Sequence, residues 1–555
     1  MTGVDSRRGW SILLIVALLA GTALRLWQLD IQIVIDDEWH AIHELLRATP
    51  ASILTHLGYA DYSIPLTLYY QALYRSIGLS EWGMHAPPLA AGIALLIVGP
   101  RMLERWCPLR VRAIWLALVA VSPLLVYHSR VARPYALTSL LTFVAIVAAR
   151  SWWLHGRTRD GALYAAATFL AGWLHPVTLP FTLLPIAYFG VQALRPVRSD
   201  TAGQAGEPRF AALRRLAVLG FATGVPLAIV LLPPLIVDWG LVAQKAGRDM
   251  ETPQSVYRTL LMLAGTGSPL VAGLTGLCAI AGFVELRRRD RELARYLSTI
   301  VAIGAVVVAS SGAEWIMHPL VLARYLIPAL PFLLLLSAEG LAGLVGRLRR
   351  PLVEVPAVAA AVSGLFAAGP IPGEWHYPNQ FFGHLRYQFD YDPAHNPYVL
   401  QVPQVPPPEF YRELAKRPPG SVTLIEAPWR LESHFNALSL YQDVHHQLIR
   451  IGFTTPVCGV RDFGEYPAAR TGMKMREFVQ LDAVLRGDFG NADYLVMHLT
   501  PGSTASVPPE WPDVVQCLPL IAGRLGAPIH RDERIVVFDL RALSPLGNNR
   551  HPVQQ

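Results

Sequence analysis

The chain has 555 residues, 53% of them hydrophobic and 16% charged, against about 25% charged in a soluble domain. With a mean hydropathy of +0.35, this balance excludes an ordinary soluble enzyme and indicates a polytopic membrane protein. The formal net charge is +7, but the basic residues stand in short clusters between apolar segments, where they set topology, so no nucleic-acid partner is implied.

A membrane span needs about 20 apolar residues. Eleven segments qualify as spans: 11–29, 86–103, 112–127, 134–149, 161–174, 177–194, 213–236, 259–284, 296–312, 320–343 and 352–370. The first has no small-residue cleavage site before the acidic residues that follow, so it reads as a start-transfer anchor. Arg7 and Arg8 precede it. Basic clusters follow the second span (Arg101, Arg105, Arg110), the fourth (Arg150, Arg157, Arg159), the sixth (Arg195, Arg198, Arg209), the eighth (Arg287, Arg288, Arg289) and the tenth (Arg347, Arg349, Arg350). The positive-inside rule then puts the N-terminus in the cytoplasm, and the odd-to-even loops and everything after the eleventh span outside it. The expected protein is integral to the cytoplasmic (inner) membrane, with residues 1–370 as its membrane module.

The first outside loop, 30–85, holds helix-like stretches at 40–46 and 65–77, the second with Leu66, Tyr69, Tyr70, Leu73 and Ile77 at helical spacing. These could lie in the membrane interface. Beyond residue 371 the composition changes. A proline-rich run at 402–408 leads into strand-like segments at 422–426, 494–498 and 535–540, with helix-like segments at 476–486 and 514–525. Residues 371–555 therefore read as a small extracytoplasmic α/β domain. Cys458 and Cys517 both fall in it, where a disulfide is chemically permitted but spacing leaves the pairing open. Cys107, on the cytoplasmic side, and Cys278, within a span, are expected to stay unpaired. His445 and His446 point apart as neighbours and have no evident third ligand, which argues against a metal there. There is no phosphate-binding glycine loop, dinucleotide fingerprint or nucleophile elbow, so a soluble nucleotide-sugar donor is not expected.

The chemistry-bearing candidates cluster outside. Asp36, Asp37 and Glu38 follow the first span directly, and three adjacent acids at a membrane boundary are costly to desolvate. One of them suits a general base that accepts a hydroxyl proton as a glycosidic bond forms, through an oxocarbenium-like transition state. The same residues also suit a helix N-cap and its acidic first turn. Asp61 could orient substrate or a divalent ion, or cap the helix beginning near Pro65. Arg130 and Arg133 lie in a short outer loop, where a guanidinium fork matches a phosphate and stabilises the charge it gains on leaving. Arg324, His318, Lys245 and Arg248 are further candidates for that phosphate. His175 could contact substrate or act as a buried polar cap.

These pieces resemble the bacterial GT-C membrane glycosyltransferases of the protein O-mannosyltransferase and aminoarabinose-transferase type, related to glycosyltransferase family 39. Asp37-Glu38 matches that family's Asp-Glu pair after the first span. Asp61-Tyr-Ser-Ile-Pro-Leu66 is similar to its Asp-x-His-Pro-Pro-Leu segment. His128-Ser-Arg-Val-Ala-Arg-Pro-Tyr-Ala-Leu137 is similar to its Tyr-Ser-Gln-Glu-Ala-Arg-Pro-Tyr-Ala-Leu loop, and Arg324-Tyr-Leu-Ile-Pro328 to its Arg-Tyr-Leu-Leu-Pro segment. The resemblance spans residues 10–345 well and the C-terminal domain loosely. It implies a polyprenyl-phosphate-linked sugar as donor, a hydroxyl acceptor on protein, lipid or polysaccharide, and transfer with inversion. It also implies Asp37 as base, with Arg133 and Arg324 at the donor phosphate and Tyr135 among the substrate-binding residues. The extra acid Asp36 leaves two positions open for the base. Ser63-Ile64 in place of His-Pro weakens any metal site shared by Asp37 and Asp61. No cofactor is required, and a divalent metal stays open. The competing readings are a lipid or glycan transporter and a non-catalytic subunit of an envelope-assembly complex. Repeated halves and charges at mid-membrane would mark a transporter, whereas here the charges stand at the outer boundary.

Overall fold

The computed structural model describes residues 3–34, 38–58, 63–195, 209–348, 351–372, 406–428, 438–454, 457–458, 472–475, 478–500 and 514–543. The chain forms two compact units. One comprises residues 1–27, 47–69 and 85–370, the other 28–46, 70–84 and 371–555.

The helices in chain order are α1 (Gly3–Leu26), α2 (Trp39–Arg47), α3 (Pro50–Thr55), α4 (Ile64–Arg75), α5 (Glu81–Met102), α6 (Leu109–Val121), α7 (Pro123–His128), α8 (Tyr135–His155) and α9 (Thr158–Leu174). They continue as α10 (Leu179–Leu194), α11 (Arg209–Val237), α12 (Trp239–Lys245), α13 (Pro253–Ala264), α14 (Pro269–Arg289), α15 (Arg291–Ala309), α16 (Pro319–Leu326), α17 (Leu330–Gly346) and α18 (Pro351–Ala367). Among the described residues, eight helical segments are long and apolar enough to cross a membrane. Of the eleven expected spans, 112–127, 161–174 and 352–370 fall on shorter helices. The first of these is α6 and α7, separated at Ser122 because Pro123 cannot donate the hydrogen bond that would continue α6. The expected span 259–284 is not one helix. Gly265 takes a left-handed conformation that ends α13, and Ser268 caps a new start at α14. The helix-like stretches of the first loop are α2 and α4.

In the membrane unit α1 packs on α6, α8 on α9, and α14 on α17. The last pair crosses at Gly282 and Gly340, where an added Cβ would collide with the carbonyls of Leu336 and Cys278. Small residues permit such backbone approach in lipid. Near the basic end of α14, Arg289 grips the buried Glu339 of α17 through both guanidinium nitrogens, at 2.5 and 2.8 Å, and the thiol of Cys107 donates to the same carboxylate. Cys107 and Cys278 are both free thiols.

The second unit holds a six-stranded sheet: β1 (Thr423–Ala427), β2 (Leu448–Phe453), β3 (Phe478–Gln480), β4 (Tyr494–His498), β5 (His530–Arg531) and β6 (Ile535–Asp539). Its order is β3-β2-β1-β4-β6-β5. β1 pairs in parallel with both β2 and β4, while β6 runs antiparallel to β4. The central strands β1 and β4 are buried along their whole length, as parallel strands covered on both faces must be. The segment 476–486 departs from the expected helix. Phe478–Gln480 joins β2 as a strand, and only Leu481–Leu485 is helical. The helix at Val514–Leu525 has the expected bounds. Cys458 and Cys517 are joined by a disulfide that ties the segment after β2 to that helix. His445 is buried, and its Nδ1 accepts from the Gln447 backbone N–H. From the first loop, Leu79 bridges in parallel to Met473 within this unit.

Candidate functional site

The site is built on the connection between α7 and α8. After α7 the chain turns tightly, with the Arg130 N–H on the Tyr127 carbonyl and the Arg133 N–H on the Val131 carbonyl. Pro134 presets the backbone for the start of α8 at Tyr135. Every residue from 128 to 136 is buried. A buried loop with two guanidiniums must supply them with partners.

Arg130 is 0% exposed and turns toward α1. Its Nη1 donates to the carbonyls of Leu24 at 3.3 Å and Arg25 at 3.5 Å, and to that of Trp27. These carbonyls lie where the helix leaves its last acceptors unmatched. Arg133 turns the other way. Its guanidinium carbon lies 6.0 Å from the centre of the Tyr135 ring. The guanidinium carbon of Arg324, from α16, lies 5.5 Å from the same ring and 5.5 Å from the ring of Tyr325. His175 closes the group, 5.6 Å from both Tyr135 and Tyr325, and it feels the charges of both Arg133 and Arg324. Its position is fixed because it ends α9 and its Nδ1 accepts from the Val177 N–H. His128 packs edge-on against Tyr135 at 4.9 Å.

Four residues expected from the sequence, Arg133, Tyr135, His175 and Arg324, thus meet around one aromatic ring. Tyr135 is 2% exposed, and its hydroxyl has no hydrogen-bond partner among the described residues. Two guanidiniums beside a buried, unmatched hydroxyl suit an oxyanion, which takes charge-assisted bonds from the arginines and accepts from the phenol.

The other expected residues divide. His318 caps the start of α16 and packs on Trp315 at 5.1 Å. Lys245 and Arg248 face Glu314, at 3.8 and 2.6 Å, so a carboxylate draws their charge. Ser63 donates to the carbonyl of Leu174 at 2.9 Å and fastens its segment beside His175. Asp61, two residues earlier, lies outside the described residues, as do Asp36 and Asp37. Glu38 is buried in the second unit. Among the described residues, no group of three metal-ligating side chains comes together. Arg25, Ser129 and Tyr325 were not anticipated from sequence. For Arg25 a signal existed, since a lone arginine inside an apolar span is costly.

The fold and this constellation define a polytopic helical membrane protein with an α/β domain and a buried arginine–tyrosine–histidine cluster. No protein-family model matches the chain, and no curated protein matches it. Among solved structures it is similar to ArnT from Cupriavidus metallidurans, in the apo state and bound to undecaprenyl phosphate. In both cases the identity is 14%, the TM-score 0.47, and the match covers 96% of this chain and 98% of that one.

Proposed function

We propose that the chain is an inverting membrane glycosyltransferase of the GT-C type that takes its sugar from a polyprenyl phosphate. The observation that carries this reading is the pairing of Arg133 and Arg324 on Tyr135, whose buried hydroxyl has no described partner. Arg133 and Arg324 hold the donor phosphate. Asp37, or Asp36, accepts the proton of the acceptor hydroxyl. The acceptor oxygen bonds to the anomeric carbon as the bond from that carbon to the phosphate oxygen breaks, and the departing electron pair settles on a phosphate held by two cations. Asp61 and Glu38 orient substrate or a divalent ion. The Cys458–Cys517 disulfide supports an extracytoplasmic C-terminal domain, because such bonds persist in oxidising compartments.

In reconstituted vesicles supplied with polyprenyl-phosphate sugars, wild-type protein is expected to transfer sugar. Arg133→Ala and Asp37→Asn should each lower transfer by about two orders of magnitude or more, as loss of a transition-state charge partner or a general base does. Wild-type rates in both variants would overturn the roles given to Arg133 and Asp37, and no transfer by the wild type itself would leave a non-catalytic subunit as the better reading.

A further inference from the structure

Arg25 is fully buried inside the first span and makes contacts that fit a specific task. Its Nη1 donates to Gly21 O of its own helix at 2.8 Å and to Ala120 O at 3.4 Å. Its Nη2 donates to Val119 O at 3.3 Å and its Nε to Ser129 Oγ at 3.2 Å. Val119 and Ala120 belong to the last turn of α6, whose carbonyls have no helical partner because the chain breaks at Ser122-Pro123. Ser129 ends α7 and itself donates to Leu125 O. Arg130, the next residue, closes the end of α1 in return.

Each of two neighbouring helix ends is therefore capped by a cation from the other. The guanidinium of α1 satisfies the end of α6, and the guanidinium that follows α7 satisfies the end of α1. In both cases a positive group meets the negative end of a helix dipole, away from water that would weaken the attraction. The helix α5 leaves room for this. A Cβ on Gly92 would run into Ser129 Oγ and come within 3.2 Å of Arg25 Nε. The segment fixed between the two caps delivers Arg133 and Tyr135 within the next few residues.

We propose that Arg25 is a positioning residue for the oxyanion site. Its exchange of caps with Arg130 sets the α7–α8 connection, and through it Arg133, against α1. The proposal rests on the reading that Arg133 binds the donor phosphate.

The test measures binding of undecaprenyl phosphate to full-length protein in nanodiscs for wild type, Arg25→Met, Arg133→Ala and the double variant. Arg25→Met is expected to weaken binding about tenfold, a usual size for coupled neighbours. Because it acts through Arg133, it should add nothing in the Arg133→Ala background. Gly92→Ala leaves all charges in place and displaces Ser129, whose hydroxyl accepts from Arg25 Nε. It should reproduce the loss and the same lack of additivity, which keeps the test decisive if Arg25→Met does not fold. Wild-type affinity in either folded variant overturns the proposal. So does a double-variant loss equal to the product of the single losses, which a general structural role would give. If the wild type itself fails to bind the lipid, the phosphate-site reading falls first and the positioning role with it. If wild type binds and Arg25→Met binds equally, only the positioning role falls.

Discussion

At the scale of single residues, the most informative group is the hydroxyl of Tyr135. A buried donor without an acceptor costs free energy, which a native fold retains only when something else gains from it. Tyr135→Phe removes that group and keeps the ring that Arg133 and Arg324 share. The melting temperature should hold or rise slightly, while affinity for a polyprenyl phosphate falls by about three- to tenfold, the worth of one hydrogen bond to a charged partner. Scanning calorimetry and lipid titration on the same sample separate the two effects. A fall in melting temperature with unchanged affinity would mark the hydroxyl as structural. Arg133, His175 and Arg324 were legible in the sequence because polar groups at the edges of apolar spans stand out, and Tyr135 only through the resemblance of its loop. The direction each one faces was not. Arg130 and Arg133 are three residues apart in one loop, yet one caps a helix and the other joins the site. That difference depends on where α1 ends relative to the loop, which no local pattern encodes.

At the scale of elements, apolar length located the helices and small residues decided how they pack. The expected span 259–284 is divided because Gly265 can adopt a left-handed backbone at little cost, a local event that hydropathy averages away. The α14–α17 crossing depends on Gly282 and Gly340 in the same fashion. Gly340→Val would press a branched side chain against the Cys278 carbonyl and force the helices apart. It should destabilise the protein by about 1–3 kcal/mol, the usual cost of overpacking, seen as a lower unfolding midpoint in detergent. Strand β2 was missed in the sequence and β3 was taken as helix, because a short apolar run reads equally well either way. The pairing that decides it comes from β1 for β2 and from β2 for β3, each more than twenty residues away in the chain.

At the scale of the whole molecule, the α/β unit is expected to lose stability in acid. Burial, with the neighbouring charge of His446, pushes the His445 imidazole down to about 3 from its ordinary 6.5. The folded chain therefore holds His445 neutral where the unfolded chain would protonate it. That contribution is complete above pH about 6.5 and is lost progressively as the pH falls toward 3. Asp532 adds in the same direction at lower pH. Its carboxyl is held below the ordinary range by the backbone N–H groups of Ile535 and Arg534 and by His530, against the opposing effect of its partial burial. Hydrogen exchange at the amides of β1 and β4 should accelerate between pH 6.5 and 4 after correction for intrinsic rates. A flat profile would contradict the burial argument. Opening the Cys458–Cys517 link by Cys458→Ser should cost about 4 kcal/mol of chain entropy for a separation of 59 residues, measurable as a lower urea midpoint for the same amides. The membrane module was readable from the apolar segments, and a C-terminal α/β region from the alternation of strand-like and helix-like segments. The assignment of 28–46 and 70–84 to the C-terminal unit was not, because it depends on contacts between remote parts of the chain.

That discontinuity has a consequence for biosynthesis. Leu79 leaves the ribosome early, but its strand partner Met473 is made roughly 400 residues later. At elongation rates of about 5–20 residues per second, the wait is on the order of 20–80 s. Throughout that interval Leu79, fully buried in the finished protein, lacks its partners at Gly472 and Met473. A nascent chain halted before the last strands would present the first loop as an unfinished surface to proteases and chaperones, so quality control of this protein should be read out at its N-terminal loop even when the lesion lies at its C-terminus.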